Sequence, residues 1–199
     1  VRTPVQSRSE ASSEAMLDAT LDLLAQGGTA AVTVAAVARA AGASNGSLYH
    51  RFGDRRGLLL AAQDRALTRV EAEAAVAFAE AHDEPDDDRA TTLLAGVALA
   101  IFERHRGAVR PFLVDPDPDG AFAERTARGS HLLADTVTGW LRERLGADEA
   151  DAEAAWRMLF ALGAASALFD DPRVSPAGVA PDAMARAVGR AVVGVVRRR

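Results

Sequence analysis

At 199 residues, with 49% hydrophobic residues and a mean hydropathy of −0.01, the chain has the length of one large or two small domains and a globular composition. Zero cysteines exclude disulfides and thiolate metal sites and fit a cytoplasmic location, no secretory-signal pattern opens the chain, and its apolar runs are too interrupted to span a bilayer. A net charge of −5 excludes a protein that coats nucleic acid indiscriminately, yet residues 39–56 hold four arginines and one acid while residues 61–199 carry the whole acidic excess. A local basic patch on an acidic body suits a protein that docks one face on phosphates.

Residues 1–9 are polar and read as a frayed, disordered terminus, with Arg2 and Arg8 as its only cations. Glu10 to Gln26 reads as a helix with Met16, Ala19, Thr20, Leu23 and Leu24 inward, stopped by Gly27-Gly28. Val34, Val37, Ala38 and Ala41 recur at helical spacing, behind a capping Thr33 and ahead of Gly42, which supplies a left-handed residue. Ser44 caps a second short helix that points Leu48 and Phe52 inward and leaves Asn45, Ser47, Tyr49 and His50 outside. Two short helices about a tight turn make a helix-turn-helix, whose second helix enters the DNA major groove. Asp54 then caps a long helix from Arg55 to about Ala81, broken by the acidic, Pro-containing run His82–Asp88.

Further helices are predicted over Arg89–His105 (apolar all round, hence central), Val109–Val114, Gly120–Leu145, Asp148–Phe169 and Asp182–Arg198. No β-alternation is present, so the fold class is all-α with about nine helices. Asp115, Asp117, Asp119 and Gly120 imitate the start of a calcium loop, but Thr126 stands where the bidentate Glu belongs, and a solvated acidic turn is the better reading. The four histidines, His50, His82, His105 and His131, lack metal-ligand spacing. No phosphate loop, dinucleotide fingerprint or nucleophile elbow occurs, so no catalytic residue, metal or cofactor is expected.

The stretch from Thr33 to Leu60 resembles the TetR family of bacterial transcriptional repressors. The resemblance rests on Thr33, Ala41-Gly42-Ala43-Ser44, Gly46-Ser47-Leu48-Tyr49-His50-Arg51-Phe52 and the paired Leu58-Leu59. An exposed Tyr-His pair is something folding does not require. The family commonly opens the long helix with a lysine; this chain has none and offers Arg55 and Arg56.

The resemblance implies an N-terminal three-helix DNA-binding domain (residues 1–60) and a C-terminal helical domain for ligand binding and dimerisation (residues 61–199). It points to Thr33, Arg39, Ser44, Asn45, Ser47, Tyr49, His50, Arg55 and Arg56 as the residues meeting double-stranded operator DNA. Small residues in the last two helices (Ala161, Gly163, Ala164, Ala165, Ala167; Ala183, Ala187, Gly189, Ala191, Gly194) allow close helix packing, within one chain or between two; the resemblance implies a homodimer formed there and a small-molecule effector in the C-terminal domain. Candidate ligand-binding residues are Phe102, His105, Arg110, Phe112, His131, Thr136 and Trp140, with Phe122 and Thr138 nearby in sequence. The competing reading is a helical protein-interaction module without specific DNA binding. An apolar outer face on the second short helix would favour it.

Overall fold

The structure, a computed structural model, describes residues 4–115, 120–169 and 174–197, with side chains from Glu10 onward. Arg2, Asp117, Asp119 and Arg198 lie outside the described residues. Among those described, regular structure is entirely helical. The helices are α1 Pro4–Ala31, α2 Val34–Ala40, α3 Asn45–Phe52, α4 Arg55–Asp83, α5 Asp87–Arg104, α6 Arg106–Val114, α7 Ala121–Leu145, α8 Glu149–Leu168 and α9 Pro181–Val196. None is long and apolar enough to cross a membrane.

Of the terminus expected to be disordered, residues 4–9 are helical and residues 1–3 lie outside the described residues. Helix α1 is described from Pro4, and proline fits a first turn because the N–H it lacks would find no acceptor within the helix. At the other end the helical path breaks at Gly27 (φ −154°, ψ 24°) and Gly28 (φ 63°, ψ −163°), the expected stop.

The chain divides into two compact units. Residues up to Thr68 together with Gly107–Thr126 form the first; Arg69–Arg106 and the residues from Ala127 onward form the second. The first unit thus takes in a segment, 107–126, that the sequence-based division places in the C-terminal domain. Its core gathers Met16, Leu24, Val37, Leu48, Leu58 and Ala62 with Phe112 and Phe122. The two phenylalanine rings pack 5.1 Å apart. Gln63, buried among them, donates from Nε2 to Phe122 O at 2.8 Å and to Thr126 Oγ1 at 3.1 Å, which fixes the start of α7 against α4.

In the second unit α5 is the shared neighbour of α8 and α9. Gly163 on α8 lies against the Phe102 ring, where any Cβ would overlap the ring carbons, and Gly189 on α9 lies over Thr92. These two glycines therefore serve close packing on their own chain. Ala161, Ala187, Ala191 and Gly194 stay exposed. Ala95, Leu141, Ala155, Val188 and Val192 form the buried cluster.

The acidic break before α5 is tied down by Arg144. Its Nε donates to Asp87 at 2.7 Å and its second terminal nitrogen to Glu84 O at 2.6 Å, while Arg197 reaches the other Asp87 oxygen. The Arg144 hydrogen bond, backed by the charges of Arg144 and Arg197, holds the Asp87 carboxyl below its ordinary 3.8 against the opposing effect of partial burial. A carboxylate lowered on folding contributes stability that is complete above the unfolded value and lost as pH falls through the folded one. Arg144→Gln is therefore expected to lower the urea midpoint at neutral pH, with the deficit shrinking once pH drops below 3.8; urea titrations on both sides of that value check it.

Candidate nucleic-acid interface

Local hydrogen bonds shape the helix-turn-helix. Thr33 Oγ1 accepts from Ala36 N at 3.1 Å and starts α2. At its end Gly42 takes φ 62°, the Ala43 N–H donates to Ala38 O at 2.8 Å and the Gly42 N–H to Arg39 O at 3.4 Å. That paired closure needs a left-handed residue at the glycine position. Ser44 Oγ then accepts from Ser47 N at 3.1 Å and opens α3. Gly53 closes α3, and Asp54 Oδ1 accepts from Gly57 N at 2.8 Å at the start of α4.

This frame decides the direction of each side chain. Leu48 is 1% exposed within the core of the first unit, and Phe52 packs beside it. Asn45, Ser47, Tyr49 (54% exposed) and His50 face outward, as do Thr33, Arg39 and Ser44. Part of this set is also structural. Thr33 and Ser44 are caps, and the Ser47 hydroxyl lies 3.0 Å from that of Ser44.

The arginines divide by task. Arg39 stands exposed in the last turn of α2. Arg55 donates from Nε to Val32 O at 2.6 Å and from a terminal nitrogen to Thr29 O, clamping the α1–α2 loop. Asp115 holds the same loop by accepting from the Thr29 N–H at 3.1 Å and from its hydroxyl. The Arg56 guanidinium sits 4.9 Å from the centre of the Phe122 ring, a cation–π contact. Arg55 and Arg56 thus brace the unit as well as lying at the head of α4. Asp115 and Phe122 are the supporting residues that sequence reasoning missed. They lie some sixty residues beyond the helix-turn-helix, and no local pattern links them to it.

The expected ligand residues are not brought together. In the second unit an apolar cavity of about 80 Å³ is lined by α4, α5, α7, α8 and α9, and of the candidates it includes Phe102 and Trp140. Phe112 is buried in the first unit, where Arg110 is exposed. His131 and Thr136 are exposed on α7, with the Thr136 hydroxyl donating to Leu132 O at 2.8 Å. His105 Nε2 lies 2.8 Å from Glu73, which Arg104 also pairs. Burial would raise the Glu73 carboxyl, but the hydrogen bond and charge of His105, with Arg104, outweigh it and hold the group below the usual range. Phe78, Trp156 and Phe160 line the cavity without having been expected there, because they stand on α4 and α8 rather than between Arg89 and Leu145.

A capped, glycine-turned helix pair with a polar outer face, in an otherwise helical chain, defines the helix-turn-helix class of regulatory proteins. Residues 16–62 match the model of the bacterial regulatory proteins of the TetR family. The HTH-type transcriptional regulator BetI of Stenotrophomonas maltophilia is 39% identical over 74 residues, a match that spans 37% of this chain and 38% of the relative. Two solved structures are similar throughout in fold. A transcriptional regulator from Rhodococcus sp. RHA1 has a TM-score of 0.72 at 22% identity, covering 92% of this chain and 95% of the other. A TetR-family regulator from Mesorhizobium loti has a TM-score of 0.78 at 14% identity, covering 94% and 98%. Over residues 16–62 the chain is thus similar to the TetR family of bacterial regulatory proteins, and over most of its length it shares the fold of the two solved regulators.

Two roles for α3 residues separate in stability measurements. Ser44→Ala should lower unfolding free energy by about 0.5–2 kcal/mol because the cap is removed, and Leu48→Ala by about 2–5 kcal/mol through the cavity left behind. Tyr49→Phe, which removes only an exposed hydroxyl, should leave it unchanged. Urea unfolding followed by circular dichroism checks all three.

Proposed function

We propose that the protein is a cytoplasmic, homodimeric repressor that binds a palindromic operator through α3 and is released by a small molecule held in the second unit. The observation that carries this reading is the outward face of α3. Asn45, Ser47, Tyr49 and His50 are exposed while Leu48 anchors the helix. Asparagine suits a bidentate contact with adenine, and serine can donate to or accept from a base edge. Tyr49 and His50 then reach phosphates, joined by Arg39 and by Arg55 and Arg56 at the head of α4. A protein-docking face would turn more apolar side chains outward; of the large hydrophobics on α3 only Tyr49 is exposed, and it carries a hydroxyl.

The dimer reading is supported by Met184, Ala187, Ala191 and Gly194, which leave one side of α9 exposed and, beyond Met184, built of small residues. Two such chains related by a two-fold axis would present two α3 helices to half-sites one helical turn, about 34–36 Å, or a multiple of it apart. Helix α4 runs unbroken from Arg55 to Asp83 and includes the cavity-lining Val70, Ala74 and Phe78. A ligand that binds better to one disposition of α4 shifts the spacing of the two α3 helices and with it the operator affinity.

Selection from a random DNA pool should return a two-fold symmetric site. On that site Asn45→Ala should relax the preference at one base pair per half-site, worth about 1–3 kcal/mol. Arg39→Ala should weaken all sequences alike and flatten the log–log salt slope by roughly one unit for each phosphate that Arg39 neutralises. Unchanged base preference in Asn45→Ala contradicts the assignment of base reading to that residue.

A further inference from the structure

The cavity of the second unit is unusual in what it lacks. Its walls are alanine, valine, leucine, isoleucine, phenylalanine and tryptophan with a single hydroxyl, that of Thr91. That hydroxyl already donates to Asp87 O at 2.7 Å, one turn back on α5. The indole N–H groups of Trp140 and Trp156 are the other polar side-chain atoms that the lining residues carry. Among the described residues, no arginine, histidine, carboxylate or amide lines the space. The charged residues expected to meet a ligand are elsewhere: His131 is exposed, Arg110 belongs to the first unit, and His105 is paired with Glu73.

Three aromatic side chains set the shape. Phe102 meets Phe160 edge to face at 6.1 Å, and Trp156 lies tilted 5.7 Å from Phe160. Such edges and faces accept another ring or an alkyl group by dispersion and quadrupole fit. A charged group placed here would lose its hydration with no counterion to replace it. The volume, about 80 Å³, is below the roughly 150 Å³ of an apolar cavity that takes up benzene. The scale is therefore one ring, admitted with small side-chain adjustments, or a short branched alkyl group.

We propose that this cavity takes an uncharged, apolar molecule built on a single aromatic ring or a short branched alkyl group, and that no charged head group enters with it. This rests on the reading of the cavity as the effector site and specifies its ligand class.

The test uses the whole chain and three probes that share one ring: toluene, benzoate and benzylammonium. Both tryptophans of the protein line the cavity, so its indole emission reports from the site itself. Toluene is expected to bind saturably by calorimetry, to shift tryptophan emission and to raise the melting temperature. Benzoate and benzylammonium should show none of these three effects at concentrations roughly a hundredfold higher. Ala74→Leu and, separately, Ala98→Leu fill the space and should abolish the toluene response in whichever variant keeps its helix content. Saturable binding of either charged ring at toluene-like concentration overturns the proposal. So does a toluene response without change in tryptophan emission, or no saturable response to toluene in the parent chain. Operator affinity measured with and without saturating toluene is a separate readout: binding without release leaves the ligand class standing and removes the effector reading.

Discussion

The burial of Leu48 is the constraint on which the helix-turn-helix depends. Helix α3 has eight residues, too few to hold together in water alone. Its order comes from the Ser44 cap at one end, the Gly53 closure at the other and the insertion of Leu48 and Phe52 into the core between them. Because Leu48 must point inward, Ser47, Tyr49 and His50 point away, and Asn45 is left exposed as the first residue of the helix. The polar face is thus a consequence of one apolar anchor at helical spacing. Around it, Arg55 and Asp115 hold the α1–α2 loop from two sides, and Arg56 covers the Phe122 ring. The residues 107–126 belong to this unit because its core is incomplete without Phe112 and Phe122.

The second unit solves a different problem. Its helices are rich in alanine and glycine, which permit close approach but fill little volume. Gly163 lets the Phe102 ring approach α8 closely, and the large rings of Trp156 and Phe160 occupy the space that small residues leave. What remains unfilled is apolar. Charges are kept in local clusters, Asp87 with Arg144 and Arg197, and Glu73 with Arg104 and His105, so that none needs the cavity for a partner. An interior of this kind discriminates by shape and by the cost of desolvating charge.

Much of this is legible in the sequence where the physics is local. The caps at Thr33, Ser44 and Asp54 and the turn at Gly42 involve hydrogen bonds within a few residues, and those residue types announce themselves. The inward face of α3 follows from spacing alone. Legibility fails where contacts join distant segments. Phe112 reads as one more aromatic on a short helix, and nothing nearby reveals that it completes a core begun at Met16. His131 and Thr136 lie on α7 together with Leu133 and Val137, and only packing shows that the latter pair lines the cavity while the former pair faces solvent. Arg55 and Arg56 read as plain phosphate contacts because a sequence shows a charge but not the carbonyl or ring beside it. The unexpected walls, Phe78, Trp156 and Phe160, stand on helices outside the Arg89–Leu145 stretch, and no spacing rule ties them to it.

The central claim, that α3 presents its outer face to the major groove, is open to a direct measurement. The chain has no cysteine, so Ser47→Cys and Gly194→Cys each create a single attachment point for a short photoactivated cross-linker. Irradiation with the selected operator should join position 47 to bases within each half-site and leave position 194, on α9, without DNA adducts. Adducts from both positions in similar yield, or none from position 47 while the complex is intact, would contradict it.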